Sequence, residues 1–172
     1  MLLARIAAAL GRRRALEPWT LAEIAPSAGL SPAGLLKRFG SRQGILVALS
    51  RRWIDSIPDA PRGTEAPARE LRGWVESRFA GDGPEGVAVG LVNLLDDLVD
   101  DHLRELLAEG WAKEIRYLAS LLAATDLPRL GDPHRAAALL FDALNGSMLR
   151  RAADRESSLP TTVLEELTEV WS

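Results

Sequence analysis

The chain contains no cysteine. Disulfides, thiolate metal sites and thiol nucleophiles are therefore excluded. That composition fits a reducing compartment, and a cytoplasmic location is expected. Aromatic residues are few: one tyrosine, three phenylalanines and five tryptophans. No run of about eighteen apolar residues occurs, so no transmembrane helix and no membrane partner are expected. Met1–Leu10 is apolar but short, with no basic stretch before it and no small-residue cleavage site. It does not read as a signal peptide. There is no convincing alternating strand pattern, no internal repeat and no low-complexity tract. Neither sign of charge dominates the whole, the formal net charge being -3.

What is present is an ordinary soluble composition over 172 residues, 47% hydrophobic and 26% charged. That length suffices for one compact domain or a small module with a larger one. The net charge hides a split. Residues 1–53 carry nine Lys/Arg against Glu17 and Glu23, a formal +7, and the remainder carries -10. Such asymmetry suits one part to a polyanion and keeps the other off it. Nearly every segment has helical periodicity, so an all-α fold is expected.

The stretch from Thr20 to Leu46 is the most informative. Thr20-Leu-Ala-Glu23 is a capping box, and Trp19 and Ile24 stand at hydrophobic-staple positions. Gly29 suits a left-handed helix end. Ser31 then caps a second short helix with Pro32 at its first position, where a missing N–H costs nothing. Leu35 and Phe39 share one face. Gly40 ends that helix and Ser41 caps a third. A helix-turn-helix results, with its second helix free to lie in a major groove. The N-terminus capped by Thr20 would face a phosphate. Ser31, Pro32, Ala33, Gly34 and Lys37 would face the bases, while Arg38 and Arg42 would hold phosphates.

"TLAEIAPSAGLSPAGLLKRFGSRQGIL" resembles the DNA-binding domain of the tetracycline-repressor (TetR) family of bacterial transcription regulators. The resemblance rests on Thr20, Ile24-Ala25, Ala28-Gly29-Leu30-Ser31, Gly34-Leu35, Phe39, Ser41-Arg42 and Leu46. It covers about the first third of the chain. It implies a three-helix helix-turn-helix domain over residues 1–50 and a helical regulatory and dimerisation domain over residues 51–172. It also implies a homodimer, double-stranded operator DNA and a small-molecule effector. The expected function is a one-component regulator, read as a repressor that its ligand releases, and not an enzyme. Four positions depart from the family pattern. Leu36 stands where a phosphate-binding Tyr is usual, Arg42 where Lys is usual, Gly44 where an acidic residue is common, and Pro26 lies inside the first short helix. They leave open a second reading, a helical enzyme or scaffold that keeps the fold without binding DNA.

The rest of the chain reads as further helices with a break near Asp100–Asp101, where Asp101 suits an N-cap. "GDGPEG" (Gly81 to Gly86) matches a dinucleotide motif only in letters, because a helix and not a strand precedes it; an interhelical loop is expected. Asp96, Asp97, Asp100, Asp101, His102 and Glu105 form an acidic cluster. Asp96, Asp97 and Asp100 fall opposite the leucine stripe Val87, Leu91, Leu94, Leu95 and Leu98, so solvent rather than a metal is expected there. No cofactor and no catalytic constellation is expected. A small-molecule pocket is expected among Trp74, Phe79, Trp111, Glu114 and Tyr117. Glu114 falls on an apolar helical face and needs a partner such as Arg72 or Arg78. Ala137, Leu140, Phe141, Leu144 and Met148 form the expected dimer face, the alternative being that they pack inside one subunit.

Overall fold

The computed structural model describes residues 1–13, 18–63, 65–79, 83–154 and 158–172. Among them are nine α-helices and no strand: α1 (Leu2–Gly11), α2 (Leu21–Ala28), α3 (Pro32–Phe39), α4 (Arg42–Ser56), α5 (Pro67–Phe79), α6 (Gly83–Val99), α7 (Asp101–Ala123), α8 (Pro133–Ala153) and α9 (Pro160–Trp171). The all-α expectation is met. No helix among the described residues is long and apolar enough to cross a membrane. Packing divides the chain into two compact units, Met1–Ser56 with Ala88–Gly110 and Ile57–Val87 with Trp111–Ser172. The first unit thus adds parts of α6 and α7 to the four N-terminal helices.

The expected local signals hold this first unit together. Thr20 Oγ1 accepts from the Glu23 backbone N–H at 3.3 Å, and Glu23 Oε2 accepts from the Thr20 backbone N–H at 2.6 Å, closing the capping box. Gly29 ends α2 in the left-handed region. Ser31 and Ser41 cap α3 and α4 through the backbone N–H groups of Gly34 and Gly44. Ile6, Ala9, Trp19, Ile24, Ala25, Ala28, Leu35 and Ile45 form one buried core. Pro26 lies inside α2, where it removes one helix hydrogen bond, yet α2 persists to Ala28 because its apolar face is committed to that core.

A second cluster joins α4 to the start of α7. Ile54, Leu103 and Leu106 are buried with Leu46, Val47 and Trp53 packed against them. Gly110 sits against the Trp53 indole so closely that a Cβ there would lie 2.1 Å from two of its ring carbons. Asp100, and not the expected Asp101, caps α7: its Oδ1 accepts from the Leu103 N–H at 3.0 Å. Asp101 is the first helical residue and pairs with Arg104. The acceptor must precede the first turn to meet its free N–H groups, which displaces the expectation by one residue.

Two other expectations shift. Gly83–Gly86 belong to α6 and not to the expected interhelical loop; Gly81 and Asp82 lie outside the described residues. Along α6, Val87 and Val89 are buried while Leu95 and Leu98 are exposed, so the leucine stripe is covered only in part.

In the second unit, α5 packs on α8 and α9, and α8 packs on α9. Asp132 caps α8 with Pro133 in its first turn. The expected dimer face is corrected here: Ala137, Leu140, Phe141 and Leu144 are buried within the single chain. Their spacing fits any apolar neighbour, and the neighbour is the unit's own interior.

A polar brace crosses the same unit. The Tyr117 hydroxyl donates to Glu70 Oε1 at 2.5 Å, and the Arg62 backbone N–H donates to the same carboxylate at 2.9 Å. The Tyr117 bond, then the Arg62 N–H, hold the Glu70 carboxyl below its usual range. Burial first, and the Glu70 bond second, push the Tyr117 phenol well up. A carboxylate this buried is retained because donors meet it.

Two outcomes follow. Gly110→Ala should destabilise the chain by about 1–3 kcal/mol through overpacking on Trp53. Gly73→Ala, in α5 with open space at its Cβ, should stabilise it by roughly 0.5–1 kcal/mol. Denaturant titration checks the pair, and equal effects would contradict the close approach. Glu70 has a lower pKa folded than unfolded, so its contribution is complete above the ordinary carboxylate pKa, about 4.3. It is lost as pH falls through the folded value. Glu70→Gln should therefore lower stability at pH 7 and make the acid limb of the melting-temperature profile shallower.

Candidate functional site

The helix-turn-helix presents one face outward. Leu35 is fully buried and Phe39 half-buried, which anchors the inner side of α3. Ser31, Pro32, Ala33, Leu36, Lys37 and Arg38 are all exposed and Gly34 is half-buried. The residues expected to face DNA on α3 thus share a solvent-facing surface. It starts at the helix N-terminus with small side chains and ends in Lys37 and Arg38. Leu36 is 45% exposed in the middle of that face. An apolar side chain here can make van der Waals contact with a thymine methyl but gives no phosphate bond.

Thr20 and Arg42 sit differently from the α3 set. Thr20 is exposed, but Glu23 holds both its backbone N–H and its hydroxyl. The Thr20 backbone bond, then its hydroxyl, keep the Glu23 carboxyl below its usual range. A negative charge therefore already occupies part of the α2 N-terminus. Arg42 is half-buried with its guanidinium 4.9 Å from the Trp19 ring centroid. A cation–π stack of this kind orients the side chain. Arg42, Trp19, Leu10, Leu46, Asn93 and Asp97 line a cavity of about 100 Å³.

Several placing contacts were not visible in the sequence. Gly44 lies so close to the Phe39 carbonyl that a Cβ would collide with it. The departure at Gly44 thus has a steric reason, the tight passage from α3 into α4. Gln43 Nε2 donates to Asp100 Oδ2 at 2.5 Å, across 57 residues of chain. Arg5 lays its guanidinium against Gly29 at the corner of the motif. Spacing patterns report neighbours on one helix, and these contacts join residues on different elements.

The second set of expected residues gathers in the second unit. Trp74 meets Tyr117 edge-on at 5.0 Å. Phe141 meets both Phe79 and Trp111 at 6.1 Å. Glu114 is 0% exposed, and Arg78 Nε donates to its Oε1 at 2.6 Å. Arg78 is thus the partner the buried carboxylate required; Arg72 instead pairs with Glu76 and Glu165. Glu114 Oε2 and Trp74 Nε1 are buried with no hydrogen-bond partner among the described residues. Phe141, absent from the expected set, joins it because α8 turns inward.

Among the described residues no group of His, Asp and Glu is disposed to hold a metal ion. The side chain of Asp96 lies outside them. Asp100 is taken by the α7 cap and Gln43, and Asp101 by Arg104.

No family model matches the chain, and no curated protein matches it. Solved structures do. A transcriptional regulator of Rhodococcus sp. Rha1 superposes with a TM-score of 0.71 at 20% identity, covering 99% of this chain and 96% of the other. A proposed TetR-family transcriptional regulator of Rhodococcus sp. gives 0.69 at 24% identity, over 99% and 96%. A proposed transcriptional regulator of Saccharomonospora viridis, solved in complex with choline, gives 0.69 at 17% identity, over 97% and 93%. Over nearly its whole length, this chain has the fold of the TetR-type transcriptional regulators.

Proposed function

We propose that the chain is a DNA-binding transcriptional regulator of one-component type, and not an enzyme. The observation that carries this reading is the solvent-facing side of α3, with its inner side locked by Leu35 into the first core. A helix so held can enter a major groove without rearranging the core. Lys37 and Arg38 extend from its last turn. Lys37 reaches a base edge or a phosphate, and Arg38 and Arg42 hold phosphates. Ser31, Pro32, Ala33, Gly34 and Leu36 lie against the groove, and Thr20 faces the backbone at the α2 N-terminus. The +7 charge of residues 1–53 supports the same partner.

The regulator acts as a homodimer. One eight-residue reading helix contacts too few bases for high specificity, and two half-sites solve that. Since the inner face of α8 is used inside the chain, the dimer forms through its outer side. Leu139 and Leu149 are 54% and 51% exposed there, Gly146 between them has open space at its Cβ, and Val170 of α9 is 65% exposed. Exposed apolar side chains on two helices suit a helix-bundle interface.

A small molecule bound among Trp74, Phe79, Trp111, Glu114 and Tyr117 is the effector. It favours a conformer in which the two reading helices no longer match the half-site spacing, so the protein is a repressor released by its ligand. The buried carboxylate amid aromatic rings supports this, as does the choline complex of a similar fold.

Two outcomes check the proposal. Duplexes selected from a random library should bind with a clear logarithmic salt slope. Lys37→Ala and Arg42→Ala should each weaken binding and lower that slope by about one. A flat salt response, or parental binding by both variants, would overturn DNA reading. Sedimentation at micromolar concentration should give a dimer mass, and Leu149→Glu should shift it toward monomer. A parent that sediments as a monomer contradicts the interface.

A further inference from the structure

The eight residues of α3 are Pro-Ala-Gly-Leu-Leu-Lys-Arg-Phe. Base edges in the major groove are read by a small set of side chains. Asn and Gln pair with adenine, Asp and Glu accept from cytosine, Arg and Lys donate to guanine, and apolar groups meet the thymine methyl. α3 holds no Asn, Gln, Asp or Glu, so the first two chemistries are closed to it. Ser31, the hydroxyl at its start, commits its oxygen to the Gly34 backbone N–H at 3.1 Å. Guanine and the thymine methyl are what remain.

The exposed face of α3 divides accordingly. Lys37 and Arg38 are its cations. Pro32, Ala33 and Leu36 are its exposed apolar residues. Pro32 and Leu36 stand one turn apart, and Ala33 lies between Leu36 and Lys37 around the helix, so the three form one strip beside Lys37. The core takes Leu35 from this helix and leaves Leu36 45% exposed. A Cβ at Gly34 would make only ordinary contact, 3.4 Å from Ser31 Oγ at the nearest, whereas one at Gly44 would collide with the Phe39 carbonyl. The chain's own packing therefore does not demand glycine at 34. A close approach of the helix backbone to another molecule does use it.

We propose that α3 reads thymine through its 5-methyl group, with Leu36 as the specificity-determining contact and Pro32 and Ala33 beside it. The inference rests on the DNA-binding reading above and adds to it the base that the apolar strip selects. Burial of one methyl group against such a strip amounts to about a fourfold gain in affinity.

Deoxyuridine tests this, because it lacks only that methyl and pairs as thymidine does. Duplexes selected from a random library by the full chain are remade with uracil at one thymine at a time. Affinity is followed by fluorescence anisotropy at constant salt. Uracil should weaken the parent about fourfold at one or more thymines. Leu36→Ala should bind the thymine and uracil forms of that position equally, with the salt slope unchanged, since no charge is removed. Leu36→Met keeps an apolar side chain of similar size and should retain the difference. Lys37→Ala should also retain it while lowering the slope. A selected duplex that binds with a salt slope yet tolerates uracil at every thymine overturns the methyl reading alone. So does a uracil penalty that Leu36→Ala leaves in place. A chain that binds no duplex overturns DNA reading and this inference with it.

Discussion

The burial of Leu35 is the contact on which the proposed DNA-reading surface depends. It is the fully buried residue of an eight-residue helix, and it joins the core formed by Ile6, Trp19, Ile24, Ala28 and Ile45. So short a helix has little stability of its own. Its position is therefore set by this contact and by its ends, Ser31 at the start and the close passage of Gly44 beneath the Phe39 carbonyl. With those points fixed, helical geometry alone sends Ala33, Leu36, Lys37 and Arg38 to the opposite side. Burial and the proposed recognition thus divide a single helix between them.

The second unit meets a different constraint, that of keeping two carboxylates in its interior. Glu70 does so with a phenol and a backbone N–H, Glu114 with a guanidinium. Removing a single partner from such a pair leaves an uncompensated charge, which is far more damaging than replacing both. The aromatic residues of this poorly aromatic chain concentrate around these groups, through Trp74, Tyr117, Phe79, Trp111 and Phe141. Both carboxylates lie on helices that the unit also uses for its apolar packing. Polar chemistry is therefore built into the core, where water is displaced and each hydrogen bond has greater consequence.

Much of this was legible in the sequence, for identifiable reasons. The caps at Thr20, Ser31 and Ser41 and the left-handed Gly29 are local signals that need only three or four residues to act. The outward set on α3 and the need of Glu114 for an arginine follow from helical periodicity. Contacts between elements were not legible. The stacking of Arg42 on Trp19, the bond from Gln43 to Asp100 and the notch at Gly110 depend on which helix lies beside which. For the same reason the apolar stripe of α8 was assigned to a second subunit when it faces α8's own neighbours. Periodicity identifies a face to be covered but carries no information about what covers it.

The central claim is that α3 meets duplex DNA through its exposed side while its buried side stays in place. Amide hydrogen exchange on the full chain, with and without a selected duplex at low salt, tests this most directly. The account predicts new protection over Ser31–Arg38 and at the start of α2, reversed at high salt, with exchange around Leu140 and Leu144 in α8 unchanged. Protection confined to the second unit, or none in α3 at saturating DNA, would contradict it.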